Sequence, residues 1–97
     1  MPHLIWSARA ANSLERLYNF LLPKSPVAAD RAIEAIQYAA ERLEMFPEAG
    51  RPAPEYGNGV RQLPVHFASS GYLLRYRLAG DAVVILVVKH MRERPQT

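Results

Sequence analysis

The side chains best able to bind or transfer charge are basic and lie in the C-terminal half of this 97-residue sequence. His66, Arg75, Arg77 and His90 stand on segments in which apolar and polar residues alternate. Arginine can grip a phosphate through two parallel hydrogen bonds, and histidine, whose ordinary pKa is about 6.5, can hold or move a proton near neutral pH. The alternatives are a phosphate-binding surface and an exposed face whose cations serve only solubility.

The distribution of charge favours an anionic partner for the same half. The formal net charge is +3. Residues 1–46 hold five basic and five acidic side chains, whereas residues 60–94 hold six basic and two acidic ones, and Lys89 and Arg92 contribute to that excess. The C-terminal half should therefore attract anions, and nucleic acid or the acidic tail of another protein would both qualify.

Composition excludes several kinds of protein. Because there is no cysteine, disulfides, thiolate zinc sites and a cysteine nucleophile are absent, and a reducing, cytoplasmic location is favoured. Three scattered histidines are too few for a metal site, so we expect neither a metal nor a cofactor. The longest apolar run, residues 82–88, is too short to cross a membrane, and the N-terminus does not resemble a signal peptide. The length suits one domain over residues 1–97.

The spacing of apolar residues predicts two helices in the first half. Residues 4–6 indicate a short first strand, and Ser7 is a suitable cap for the helix that follows. Apolar residues recur at helical spacing from there until Pro23 ends the first helix. Ser25 followed by proline begins a second helix, predicted over residues 26–46. The two helices should form a hairpin.

The second half changes to the periodicity of strands. Residues 47–59 contain three prolines and three glycines, and they predict a long loop. Three strands are then expected over residues 60–67, 71–79 and 82–90. The Gly80-Asp81 pair suits a two-residue hairpin loop, and residues 68–71 would provide the other turn.

Pairing these strands as hairpins predicts the two faces of the sheet. The expected facing pairs are Leu78 with Val83, Tyr76 with Ile85, and Val65 with Leu74. The face beneath the helices would carry Leu63, Val65, Phe67, Tyr72, Leu74, Tyr76, Leu78, Val83, Ile85 and Val87. The other face would carry Gln62, Pro64, His66, Leu73, Arg75, Arg77, Val84, Leu86, Val88 and His90.

The order of the strands follows from their composition. The last strand is apolar on both faces, which is typical of a central strand, so the first strand should be its second neighbour. Pro64 suits an edge strand. We therefore predict an α+β fold, β-α-α-β-β-β, with a helical hairpin packed on one face of a twisted, mainly antiparallel four-stranded sheet of order 1-4-3-2. A basic groove would occupy the opposite face.

Arg61 differs from the other arginines because alternation places it on the face beneath the helices. There it could fix the long loop through Glu48 or Glu55, and a structural role is at least as well supported as a functional one. Tyr72 and Tyr76 share that face and are expected to be core aromatics.

The pattern as a whole resembles the RelE/ParE family of toxins from bacterial type II toxin–antitoxin modules. The resemblance covers nearly the whole chain. Its matching phrases are, in chain order, Ile5-Trp6-Ser7, residues 46–51, Val60-Arg61-Gln62-Leu63, residues 72–77, residues 83–88 and His90-Met91-Arg92. Their order and spacing agree with the layout derived above.

This resemblance implies a small basic toxin held inactive by an antitoxin, in a heterodimer or heterotetramer, through an extended and often acidic segment. ParE-like members inhibit DNA gyrase, whereas RelE-like members cleave messenger RNA on the ribosome. The ending His90-Met91-Arg92 and the lack of a C-terminal tyrosine favour the ParE branch and a non-enzymatic activity. The expected target-binding residues are Arg75, Arg77, Lys89 and Arg92.

Two alternatives stay open. Some ribonuclease members end in a histidine like His90 and use an arginine placed like Arg61. The chain could accordingly be a ribosome-dependent endoribonuclease, with His90 and His66 as acid–base groups and Arg61 among the phosphate ligands. It could also be a non-toxic binding module retained for its antitoxin.

Overall fold

The computed structural model describes residues 3–68 and 70–91. These residues form five strands, two α-helices and one short 3₁₀ helix. In chain order they are β1 (His3–Trp6), α1 (Ala8–Leu21), α2 (Pro26–Arg42), β2 (Arg51–Pro52), the 3₁₀ helix (Pro54–Tyr56), β3 (Val60–Phe67), β4 (Ser70–Ala79) and β5 (Ala82–His90).

Both predicted helices are present, and serine hydroxyls cap both N-termini. The Ser7 and Ser25 side chains accept hydrogen bonds from the backbone N–H groups of Ala10 and Ala28. The second helix ends at Arg42 and not at residue 46 as predicted. Beyond Arg42 the backbone tightens into hydrogen bonds between residues three apart, and Leu43 in this turn is buried in the core.

The sheet has the predicted order with one added strand. Its order is β1-β5-β4-β3-β2, in which β1 runs parallel to β5 and the other neighbours are antiparallel. The prediction of an α+β fold is confirmed. The long loop predicted over residues 47–59 is interrupted by two short elements that were not predicted, β2 and the 3₁₀ helix.

The predicted register holds for one hairpin and fails for the other. Leu78 faces Val83 and Tyr76 faces Ile85, as predicted. Val65 faces Tyr72 and not Leu74, a shift of two residues. The turn is tighter than predicted, because Ala68 adopts a positive φ of 55° and strand pairing resumes at residue 70. A two-residue shift leaves the assignment of faces unchanged.

A β-bulge in β5 does change that assignment. Arg75 faces Val87 while the next residue, Tyr76, faces Ile85, so Leu86 has no partner of its own. From this point the alternation along β5 is reversed. Val88 and His90 therefore lie on the face beneath the helices, and Val87, which pairs with Arg75, lies on the opposite face. The predicted faces of all three residues are wrong.

The core lies between the helical hairpin and one face of the sheet. Its fully buried large side chains are Tyr76, Ile36, Leu43, Leu74, Ile85 and Val83. One buried polar group joins α1 to the sheet: the Ser13 hydroxyl donates to the Ala10 carbonyl at 2.8 Å and accepts from the Val88 N–H at 3.0 Å. Ser13 therefore provides a hydrogen-bond acceptor for the Val88 N–H just past the bulge, where β1 no longer pairs with β5.

Candidate functional site

Residues 47–59 are held against the sheet by one tyrosine and one arginine. The Tyr76 hydroxyl donates to the Pro47 carbonyl at 2.8 Å and accepts from the Gly50 N–H at 2.9 Å. Arg61 Nη1 donates to the carbonyls of Gly50 at 2.7 Å and Glu48 at 3.3 Å, and its Nη2 lies 3.8 Å from Glu48 Oε1. Arg61 therefore holds this segment, with Glu48 as its carboxylate partner.

The close packing of residues 47–59 against β3 and β4 depends on Gly50. A Cβ at Gly50 would lie 2.7 Å from the Gln62 carbonyl oxygen and 2.8 Å from the Tyr76 ring, so no other residue fits without displacement. Burial raises the pKa of the Tyr76 hydroxyl, although its bond from the Gly50 N–H and the nearby Arg61 guanidinium oppose that rise.

On the sheet face away from the helices, here called the open face, Arg75 joins the 3₁₀ helix to the sheet. Its guanidinium carbon lies 3.4 Å from the centroid of the Tyr56 ring. Its Nε and Nη2 donate to Gln62 Oε1 at 3.3 and 3.1 Å. Burial is the main cause that lowers the pKa of Arg75, and the neighbouring charge of Arg9 lowers it further. Arg75 is thus committed to internal contacts.

Arg77 lies on the same face and makes fewer contacts than Arg75. Its Nε donates to the Asn58 carbonyl at 3.2 Å, and the side chain stays exposed. No other hydrogen bond of its guanidinium is found among the described residues, so its remaining N–H groups can serve a partner. Of the arginines predicted to bind phosphate, Arg77 is therefore the most available.

The two predicted acid–base histidines do not share a site. His66 faces Gly71 on the open face and is exposed. His90 lies beneath the helices, where its ring meets the Tyr72 ring edge to face at 5.3 Å between centroids. The bulge separates them, so the expected juxtaposition of His66 and His90 is wrong. Arg92, also predicted to bind the target, lies outside the described residues.

Lys89 belongs to a basic cluster that the sequence interpretation missed. It lines a cleft of about 380 Å³ together with Arg9, Asn12, Ser13 and Arg16. Arg9 and Arg16 lie away from the apolar positions that predict α1, and neither was among the candidate residues of the sequence interpretation. The signal that could have identified them is their spacing of seven residues, which places both on one side of the helix two turns apart.

A wider and more apolar groove lies at the other end of the hairpin. It measures about 770 Å³ and runs between the end of α2 and β3. Tyr38, Met45 and Phe46 line it with side chains that are 64%, 67% and 52% exposed. Such exposed apolar surface is typical of a binding site for another protein.

Two further properties concern ligands and membranes. Among residues 3–68 and 70–91, no group of three or more acidic or histidine side chains is placed to hold a metal ion. Within the same residues, neither helix combines the length and the hydropathy required to span a bilayer.

A helical hairpin on an antiparallel sheet, with one parallel edge strand and a basic rim, defines the class of small α+β toxins to which the sequence pattern pointed. The model of the family described as "ParE toxin of type II toxin-antitoxin system, parDE" matches residues 4–95. The chain belongs to this family, within the RelE/ParE superfamily.

Individual relatives agree with this placement. "Toxin RelE3" of Caulobacter vibrioides is 42% identical over 86 residues, which cover 89% of this chain and 90% of that protein. "Toxin RelE1" of the same organism is 32% identical over 88 residues, with 91% of both chains covered. The solved structure described as "Chromosomal ParDE TA system from P. aeruginosa" superimposes with a TM-score of 0.78 at 24% identity, covering 93% of this chain and 96% of that one. That likeness confirms the fold.

Proposed function

We propose that this toxin inhibits growth by ParE-like inhibition of DNA gyrase in the cytoplasm, and that a cognate antitoxin neutralises it in a heterodimer or heterotetramer. The observation that carries the proposal is the separation of His66 from His90 on opposite faces of the sheet. Cleavage of RNA in the predicted manner needs an acid and a base on either side of one phosphate. The match to the ParE family model supports the same branch.

Arg61 adds to this argument. Its guanidinium is directed at the carbonyls of Gly50 and Glu48, and an arginine so engaged is a poor ligand for a scissile phosphate. Lys89 and Arg77 stand at the surface and are the better candidates for contact with a protein target. In this proposal the chain binds its target and catalyses no reaction.

A second candidate is ribosome-dependent cleavage of messenger RNA. The relatives named RelE favour it. His90 also lines a cleft with Arg16, Lys24 and Tyr72, which would supply two cations beside one acid–base group. In this alternative His90 would act without His66.

Two assays on the purified toxin decide between these functions. We expect the wild type to block gyrase supercoiling, and His90→Ala to block it equally, with no codon-specific cleavage on translating ribosomes. His66→Ala serves as the matched control, because it removes the histidine on the opposite face. Normal supercoiling at a large molar excess of toxin, together with cleavage that His90→Ala abolishes, would establish the ribonuclease instead.

The surface cations provide a finer test. Arg77→Gln and Lys89→Gln should each weaken gyrase inhibition, because both remove a charge from the surface available to a target. Arg31→Gln, an exposed position on α2, is the control for loss of one charge. Thermal unfolding of each variant separates a lost contact from a lost fold.

A further inference from the structure

The cleft of about 380 Å³ between α1 and β5 carries charge of one sign. Its charged lining residues are Arg9, Arg16 and Lys89, and within the described part of the chain no carboxylate lines it. Glu15, the acidic residue of α1, is not part of the lining. The three cations repel one another, and an anion bound among them would relieve that repulsion.

This cleft lies where the first strand ends. β1 pairs with β5 only as far as Ile85, so beyond that residue β5 borders α1. Arg9 stands in the first turn of α1, which contains no acidic residue, and the positive end of the helix dipole adds to its charge. Both the helix and the side chains therefore make the potential of the cleft positive.

The cleft adjoins the arginines of the open face. Val87 lines the cleft beside Arg9 and is also the residue of β5 that faces Arg75. The charge of Arg9 accordingly contributes to lowering the pKa of Arg75, while the carboxylate of Glu55 acts in the opposite direction. Arg77 follows two residues later on the same face of β4. Together these side chains form a surface here called the basic strip: Arg9, Arg16, Lys89, Arg75 and Arg77.

The spacing of these cations suits a regular polyanion. Arg9 and Arg16 lie seven residues apart on one side of α1, a rise of about 10.5 Å along the helix. One strand of duplex DNA carries a phosphate about every 3.4 Å along its axis, so this distance covers about three phosphates. Arg77, about 7 Å from Arg75 along β4, offers a further donor. Arg75 contributes its charge although Gln62 already accepts two of its N–H groups.

The lining of the cleft favours a duplex over a single strand. Proteins that bind single strands stack the unpaired bases on aromatic side chains. No aromatic residue lines the cleft in the described structure, and its apolar lining consists of Leu17, Val87 and Val88. Tyr56, on the open face, already stacks against the Arg75 guanidinium at 3.4 Å. A duplex keeps its bases stacked on one another and presents a phosphate at every nucleotide.

We propose that the basic strip binds the phosphate backbone of double-stranded DNA. This inference rests on the proposed function only for the source of the duplex, which is the DNA that gyrase holds. The toxin then contacts the DNA of its target complex as well as the protein. An acidic protein segment has the same sign of charge, but it lacks a charge at every step of a rigid backbone.

Fluorescence anisotropy on the purified toxin, without gyrase, tests this binding. The labelled probes are a 20-base-pair DNA duplex, one of its single strands, an RNA strand of the same sequence and a 20-residue polyglutamate peptide. We expect the duplex to bind most tightly, with an affinity that falls linearly with salt on a logarithmic plot. Arg9→Gln/Arg16→Gln should reduce that slope by about 1.8, because each phosphate contact contributes about 0.9, and should weaken binding at about 0.1 M salt at least 10-fold.

Two control variants connect the effect to the basic strip. Arg31→Gln/Arg42→Gln removes the same charge from α2, and its salt slope should stay within about 0.5 of the wild-type value. Arg9→Lys/Arg16→Lys keeps both charges and should retain the slope, although lysine cannot form the paired hydrogen bonds of arginine. All substituted positions are exposed, and circular dichroism confirms folding.

Three results would overturn the proposal. They are failure to bind the duplex at low salt, a salt slope that Arg9→Gln/Arg16→Gln leaves unchanged, and binding of the single strand, the RNA or polyglutamate at least as tight as that of the duplex. Supercoiling assays on the wild type recognise failure of the proposed function separately. A toxin that binds the duplex through the basic strip yet spares gyrase would refute gyrase inhibition and retain the DNA-binding surface.

Discussion

Removal of one buried hydroxyl, in Tyr76→Phe, should strongly destabilise the toxin. The Tyr76 side chain is fully buried, and its hydroxyl bonds both the Pro47 carbonyl and the Gly50 N–H. Phenylalanine preserves the ring in the core and removes only these two hydrogen bonds. The change therefore measures how firmly the segment after α2 is held to β4.

The magnitude follows from the two bonds and from what their loss exposes. Each hydrogen bond contributes about 1 kcal/mol net, and leaving the buried Gly50 N–H unpaired adds about 1 kcal/mol or more. We expect the free energy of unfolding to fall by about 3 kcal/mol. For a domain of this size that corresponds to a drop in Tm of roughly 12–24 °C.

Equilibrium unfolding in urea, followed by circular dichroism, provides the measurement. Tyr72→Phe is the matched control, because Tyr72 is also buried and on β4, and its hydroxyl makes no hydrogen bond among the described residues. Tyr72→Phe should cost less than about 1 kcal/mol. Equal losses of stability in the two variants would refute the assignment of a structural role to the Tyr76 hydroxyl.

The same hydroxyl predicts a dependence on alkaline pH. Burial raises the pKa of Tyr76 in the folded protein above its ordinary value of 10.0, so the folded state favours the neutral phenol. The stabilisation is complete below pH 10 and is lost as the pH rises from there through the folded pKa. The stability of the wild type should therefore fall more steeply above pH 10 than that of Tyr76→Phe. Parallel curves would contradict the predicted shift.

Three further substitutions test other contacts. Ser13→Ala should cost about 2 kcal/mol and accelerate amide exchange at Val88, because the Val88 N–H loses its only acceptor in the described structure; unchanged exchange would contradict this. Gly50→Ala should lower Tm by at least 10 °C, since its Cβ meets backbone at 2.7 Å. Arg75→Lys should cost about 1–2 kcal/mol through loss of its stacking on Tyr56 and its paired hydrogen bonds, and should speed proteolysis of residues 51–59.

Most of the fold could be predicted because each half of the chain has a clear period. Ser7 and Ser25 mark the starts of the two helices, and Pro23 marks the end of the first. Alternation of apolar and polar residues defines β3 and β4. The order of the sheet followed from one argument, that a strand apolar on both faces must have two neighbours. These signals are local, and local signals agree with the final structure wherever packing does not override them.

The bulge in β5 could not be predicted for a specific physical reason. Residues 82–88 are all apolar, so no polar side chain marks which face each residue occupies. The extra residue Leu86 reverses which face each later residue of β5 occupies, but the sequence shows the same unbroken run of apolar residues with or without it. His90 follows this uniform run. Its face was therefore predicted by simple alternation along β5, which does not allow for the bulge. The predicted pairing of His90 with His66 failed for that reason.

The role of Arg75 was hidden by a different error. A register displaced by two residues places Gln62 opposite Arg77, whereas the observed register places it opposite Arg75. Only the latter pairing allows the two hydrogen bonds between the guanidinium and the amide. The predicted contact of Arg61 with Glu48 is present because it depends on the face alone, and a shift of two residues preserves the face.

The basic cluster that Arg9 and Arg16 form with Lys89 was missed because the residues of α1 were divided only into apolar and solvent-facing ones. Dividing α1 into a buried and a solvent side assigns Arg9 and Arg16 to solvent, but a helix packed on a sheet also has a rim. The Ser13 hydroxyl accepts from the Val88 N–H, and in this arrangement Arg9 and Arg16 lie at the rim beside Lys89. Charge from the first helix and from the last strand thus meets in one cleft. Among the described residues, the cleft that Arg9, Arg16 and Lys89 share is lined by no carboxylate, whereas Arg75 on the open face is engaged by Gln62 and Tyr56.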